Sequence, residues 1–173
     1  MAQPTESQNP NNEPALTPKA EAPSVGFITK AFASGLFSGF SPVASGTVGS
    51  AVGLAFYAIP GFENPYVLLS LSLVVLVLGI SASNAMEKVY GQDPSEVTID
   101  EVLGMWISLV FLPKNVIVAA LAFFIFRVLD IVKPYPARHF DNLHGGAGVM
   151  LDDVVVAIYT NLLLQLAVAL KII

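Results

Sequence analysis

The chain is 173 residues long, 54% hydrophobic and only 12% charged, with a net charge of −5. Ordinary soluble proteins carry about twice that charged share, so one membrane-embedded domain with a short tail is expected, and the acidic balance gives no basic footprint for nucleic acid. The absence of Cys excludes disulfides, thiolate zinc sites and cysteine nucleophiles, and two histidines, His139 and His144, leave little for a histidine-based centre.

Residues 1–24 are expected to form a disordered tail, rich in Pro, Asn, Gln and Glu and without an apolar run. It has no basic n-region and no h-region, so no cleaved signal peptide is expected. Residues 25–173 are read as the membrane domain. A small, Gly/Ser-rich, weakly apolar stretch runs to Ser50, and Ala51–Ile59 follows, ending at Pro60-Gly61. Tyr66–Met86 is the strongest span, long enough for a hydrocarbon core of about 30 Å. Val154–Ile173 is near spanning length, with Asn161 and Gln165 inside it.

Val102–Phe126 decides the topology, because Pro113-Lys114-Asn115 interrupts it. One kinked crossing helix would put the charged windows Glu87–Glu101 and Arg127–Asp153 on opposite sides. A hairpin turning at Pro113-Lys114 puts them on one side, with arms of only about 16 Å that suit a re-entrant pair. The hairpin is favoured because the two windows can then cooperate. Lys30, Lys88, Arg127, Lys133 and Arg138 share that side, which the positive-inside rule assigns to the cytoplasm. The expected fold is thus all-α, a multi-pass membrane helical bundle with a short helical hairpin.

Past the tail, every acidic residue except Glu63 falls in those two windows. Charge beside membrane helices is costly and marks function. Asp100-Glu101 precedes one apolar helix and Asp152-Asp153 another. Capping is the plain alternative, since Asp is a favoured N-cap and acids suit a helix N-terminus. One cap per helix suffices, however, and adjacent carboxylates repel unless a cation lies between them. Oxygen ligands of this kind suit Mg2+, with a substrate phosphate completing its shell. Arg127, Asp130 and Lys133 follow at i, i+3 and i+6 on nearly one helix face, readable as an intrahelical ion pair or as Asp130 to a metal with both bases to a phosphate. Arg138 suits a second anion contact or a lipid headgroup. His144–Gly148 is a weak candidate for a phosphate cradle. In Ser45–Ser50, close helix packing explains the glycines, and Thr47 is a candidate substrate-side hydroxyl.

Three passages together resemble the phosphatidylglycerophosphatase A family: GFSPVASGTVGS (39–50), DPSEVTIDEVLGMWI (93–107) and FRVLDIVKPYPARHFDNLHGGAGVMLDDVVVAIY (126–159). The resemblance implies Mg2+-dependent hydrolysis of the lipid phosphatidylglycerophosphate to phosphatidylglycerol and phosphate at the bacterial inner membrane. The matching positions are Thr47, Asp100, Glu101, Arg127, Asp130, Lys133, Asp152 and Asp153. Where the family has Pro-Gly-Thr this chain has Ser45-Gly46-Thr47. Exclusion agrees with the resemblance: the chain has no D-x-D-x-[TV] for an aspartyl-phosphate route and no Ser-Gly-His for a histidine route. A metal-activated water remains. The expected metal and catalytic residues are Asp100, Glu101, Asp130, Asp152 and Asp153, and the expected substrate residues are Thr47, Arg127, Lys133 and Arg138. Phosphatidate is the alternative substrate. A small cation transporter or channel subunit is the alternative class, though acids at helix ends beside bases favour the enzyme.

Overall fold

A computed structural model of the chain describes residues 24–173. The expected disordered tail therefore lies, except for Ser24, outside the described residues. These form seven α-helices and one 3-10 turn, with no strand among them: α1 (Phe27–Ala33), the turn Ser38–Phe40, α2 (Ser45–Ala58), α3 (Pro65–Tyr90), α4 (Ile99–Leu109), α5 (Val116–Val132), α6 (Ala137–Asp141) and α7 (Gly146–Ala169).

The longest helices are α3 and α7, with 26 and 24 residues. Both are apolar and long enough to cross a membrane. Asn64 starts α3 by accepting the Tyr66 and Val67 amides on its side chain, and Pro65 supplies a preset φ at the first helical position. The other long helix begins earlier than its apolar run implies, at Gly146 instead of Val154. Its start is held by Asn84 of α3, whose Oδ1 accepts the Gly146 amide at 2.8 Å. Asp152 and Asp153 therefore lie well inside α7, which removes the capping explanation for that pair. Pro134 and Pro136 follow the end of α5 and lead through a turn into α6.

At the centre sits α4, packed against α2, α3, α5 and α7. Nearly all of its residues are buried, Glu101 included. Trp106 on this helix donates its indole N–H to the Gly53 carbonyl at 3.0 Å, tying it to α2. Asn161, a polar residue on the otherwise apolar α7, donates to the carbonyls of Ser108 and Val110 at 3.1 and 2.8 Å. Those acceptors belong to the carbonyls left over at the end of α4, so the amide pays its way by saturating them.

The segment Val102–Phe126 is not one kinked helix. A non-helical stretch, residues 110–115, separates α4 from α5, and Asn115 caps α5 by accepting the Ile117 amide at 2.7 Å. The pair runs antiparallel, since Glu101 near the start of α4 reaches Arg127 near the end of α5. Gly104 lets them close: a Cβ there would strike the Phe126 ring. The second arm is longer than expected, with 17 residues, about 26 Å. At the hairpin tip Lys114 donates to the carbonyls of Ala58 and Ile59 and to Glu63, at 3.2, 3.1 and 2.9 Å. The consequence is that both charged windows meet at the other end.

Candidate active site

A cavity of about 280 Å³ opens where those windows meet. Ser45 and Gly46 at the start of α2 form one wall, and Asp93, Pro94, Ser95 and Val97 in the loop before α4 contribute another. Asp100, Glu101, Arg127, Asp130, Lys133, Asp152 and Asp153 supply the charge. Every expected carboxylate is thus in one place, together with two of the expected bases.

The charges are arranged in two linked groups. Arg127 Nη1 donates to Glu101 Oε1 and lies 3.1 Å from Asp130 Oδ2. Ser50, four residues along α2 from Gly46, donates to the other Glu101 oxygen at 2.8 Å. Gly46 is needed for this approach, because a Cβ there would collide with Glu101 Oε1 and sit 3.1 Å from the guanidinium. In the second group Lys133 Nζ donates to Asp152 and, at 2.7 Å, to Asp141, with Asp130 at 3.8 Å. Lys133 caps α5 in the left-handed region, φ 45°, an uncommon conformation for a residue with a side chain that costs about 1 kcal/mol or more. Burial alone would lower the Lys133 pKa, but the hydrogen bonds to Asp141 and Asp152 outweigh it and hold the ammonium above the ordinary lysine value. This base stays charged.

Between the groups, Asp130, Asp152 and Asp153 bring carboxylate oxygens within 4.8 Å of one another. Asp152 and Asp153 are 4% and 3% exposed. One oxygen of each, Asp152 Oδ1 and Asp153 Oδ2, is buried without a hydrogen-bond partner, and so is Arg127 Nε. Leaving buried carboxylate oxygens unpaired is costly, and like charges this close raise the cost. A hard divalent cation is the partner such a donor set fits, and the Arg127 guanidinium beside it suits an anion. Asp100 is less buried and accepts the Glu101 amide on Oδ1 at 2.9 Å, which is local first-turn geometry.

Thr47 and Arg138 do not line the cavity, and Arg138 is exposed on α6. The glycines of His144–Gly148 are also elsewhere. Gly146 abuts the Ile80 carbonyl and Gly148 the Leu143 carbonyl, so they serve close packing of α7. Ser50 and Asp141 are contacts that sequence reasoning gave no role.

The family model for phosphatidylglycerophosphatase A matches residues 31–168. The chain is 41% identical over 131 residues to phosphatidylglycerophosphatase A of Escherichia coli, covering 73% of this chain and 75% of that protein. It is 38% identical over 151 residues to a Bacteroides thetaiotaomicron protein named as a candidate phosphatidylinositol-3-phosphatase, covering 82% of this chain and 94% of the relative. A shorter match, 44% over 71 residues, links it to phosphatidylglycerophosphatase A of Haemophilus influenzae, with 39% and 42% of the two chains covered. No solved structure matches the chain.

Proposed function

The chain belongs to the phosphatidylglycerophosphatase A family, matched over residues 31–168, and from that premise we propose its function. It is a phosphatase that hydrolyses phosphatidylglycerophosphate to phosphatidylglycerol and inorganic phosphate. The observation that carries the site assignment is the pair of buried, partnerless oxygens on Asp152 and Asp153 next to two bases.

Asp130, Asp152 and Asp153 would hold Mg2+, with Asp100 and Glu101 at the edge of the same cavity. Bound there, the ion would lower the pKa of a water and take up charge on the phosphoryl oxygens. The chain's own groups do the rest. Arg127 lines the cavity and would face the phosphate, while its Nη1 stays tied to Glu101 and Asp130, so the guanidinium is oriented before substrate arrives. Ser50 and Arg127 together fix the orientation of Glu101. Lys133 holds Asp152 in place and adds positive charge for the phosphate monoester.

The protein is read as a multi-pass protein of the bacterial inner membrane. Two long apolar helices, α3 and α7, suit the spanning role, and the α4–α5 hairpin would dip between them. Lys30, Lys88, Arg127, Lys133 and Arg138 then mark the cytoplasmic face, and the cavity opens at headgroup level. A cation path is disfavoured, since Arg127 and Lys133 sit among the acids and neutralise them.

The Bacteroides relative, matched over nearly its whole length, favours a second substrate, phosphatidylinositol 3-phosphate. Phosphate release from phosphatidylglycerophosphate, phosphatidylinositol 3-phosphate and phosphatidate in the same vesicles decides between them. Phosphatidylglycerophosphate should lead in kcat/KM by about tenfold, or roughly 1.4 kcal/mol of differential transition-state binding. The reverse order would transfer the assignment to the inositol lipid.

A further inference from the structure

Helices α2 and α5 line the carboxylate cavity at one end only. Farther along, Leu54 and Tyr57 of α2 face Val116, Ala119 and Ala120 of α5 across a second cavity of about 360 Å³. Its walls are mostly apolar, the exceptions being the Tyr57 hydroxyl and, at the hairpin tip, Lys114 and Asn115. The same two helices thus line both cavities, one toward each end. Along α2, Gly46, Ser50, Leu54 and Ala58 recur every four residues. Along α5, Arg127, Phe123, Ala120 and Val116 recur at three and four, so each set keeps to one helix face. From Gly46 to Leu54 is about 12 Å, and from Arg127 back to Val116 about 17 Å. Half of a hydrocarbon core of about 30 Å is about 15 Å, the depth one leaflet's acyl chains reach.

We propose that the groove between α2 and α5 holds one acyl chain of the lipid whose phosphate sits in the carboxylate cavity. This rests on the lipid-phosphatase reading above. The chain enters from the cytoplasmic end. A lipid of the opposite leaflet would have to place its phosphate at Lys114, but that ammonium is already taken by two carbonyls and by Glu63, whose carboxylate would repel the headgroup. Small side chains at Ala119 and Ala120 leave the room. In a bilayer the groove offers no hydrophobic gain, because the chain leaves surroundings as apolar as those it finds. What it supplies is orientation: a chain held in the groove fixes the depth and rotation of the phosphate ester against Arg127 and the carboxylates.

The test fills the groove. Ala120 is exposed, so Ala120→Trp adds an indole there without disturbing the core. Its kcat/KM is compared with wild type on dihexanoyl and dioleoyl phosphatidylglycerophosphate in the same mixed micelles. The dioleoyl value should fall roughly tenfold, the scale of a misplaced reacting group, while the dihexanoyl value stays within about twofold, because a short chain ends before the groove. Ala119→Leu should repeat the pattern more weakly. Equal losses on both lipids, or no loss on either, overturn the groove. A dioleoyl analogue with a diazirine near one chain end gives an independent readout. After irradiation it should label residues 54–58 and 116–120, and labelling confined to the outer face of α3 at Leu73 and Val77 overturns the proposal. If wild type hydrolyses neither lipid, the phosphatase reading fails; if it hydrolyses both and the variants ignore chain length, only the groove fails.

Discussion

Asp153→Asn separates a ligand carboxylate from a structural one. Asp153 is 3% exposed, forms no ion pair among the described residues and leaves Oδ2 without a donor. It lies within 4.8 Å of the Asp130 and Asp152 oxygens, so without a cation its ionised form is disfavoured by burial and by those neighbours. Asparagine keeps the shape and removes the charge. Without metal the variant should be as stable as wild type or more so, by up to about 1 kcal/mol, which is about 2–4 °C in Tm for a chain of this size. Mg2+ at a hundred times its Kd should stabilise wild type by about 2.7 kcal/mol, or roughly 5–10 °C on the same conversion. The variant should lose most of that rise. Its turnover should drop by about a thousandfold, equal to about 4 kcal/mol of barrier. Thermal unfolding in detergent with and without Mg2+, beside phosphate release, measures all three. A variant that keeps the full Mg2+ shift, or that is several kcal/mol less stable without metal, would show that Asp153 is not a ligand.

Arg127→Lys should lower kcat/KM by about a hundredfold, since a point charge cannot hold Glu101 and Asp130 and still offer a donor edge. Arg138→Ala, outside the cavity, should stay within about twofold under the same assay. Lys133 has a raised pKa, so its ion pairs with Asp141 and Asp152 stabilise the fold fully below the ordinary lysine value of about 10.4. That stabilisation should fade as pH climbs beyond it. Tm between pH 9 and about 11.5 should therefore fall more steeply for wild type than for Lys133→Met, and parallel slopes would remove the pairs from the account of stability. Topology is open to single-cysteine labelling because the chain has no native Cys. Gln92→Cys and Asn142→Cys should both be shielded from an impermeant thiol reagent applied outside, whereas Glu63→Cys should react; opposite labelling of the first two would break the shared site.

Much of the site was legible because charge is rare in this chain. With so few acids past the tail, Asp100, Glu101, Asp130, Asp152 and Asp153 stood out against apolar helices, and the Pro-Lys-Asn interruption was enough to fold the two windows together. The start of α7 was not legible. Gly145–Leu151 holds little amphipathic signal, and Asp152-Asp153 looked like a terminus because polarity normally marks one. Only tertiary contact, the Asn84 side chain on the Gly146 amide, explains a helix that begins ahead of its own buried acids. Hydroxyl roles were equally hidden. Thr47 and Ser50 are three residues apart on α2, about 60° off one another around the helix, and which of them reaches Glu101 depends on how α2 rolls against α4. The Gly-rich run before Asp152 misled for a related reason: glycine marks close approach, and here the approaching partner is backbone.

The most direct measurement is inorganic phosphate released by the purified chain from phosphatidylglycerophosphate in vesicles, with Mg2+ present and then chelated. The predicted result is turnover that stops on chelation, returns when Mg2+ is restored and stays about a thousandfold lower in Asp153→Asn. Turnover that continues undiminished after chelation, or none from this lipid under any metal condition, would contradict the assignment.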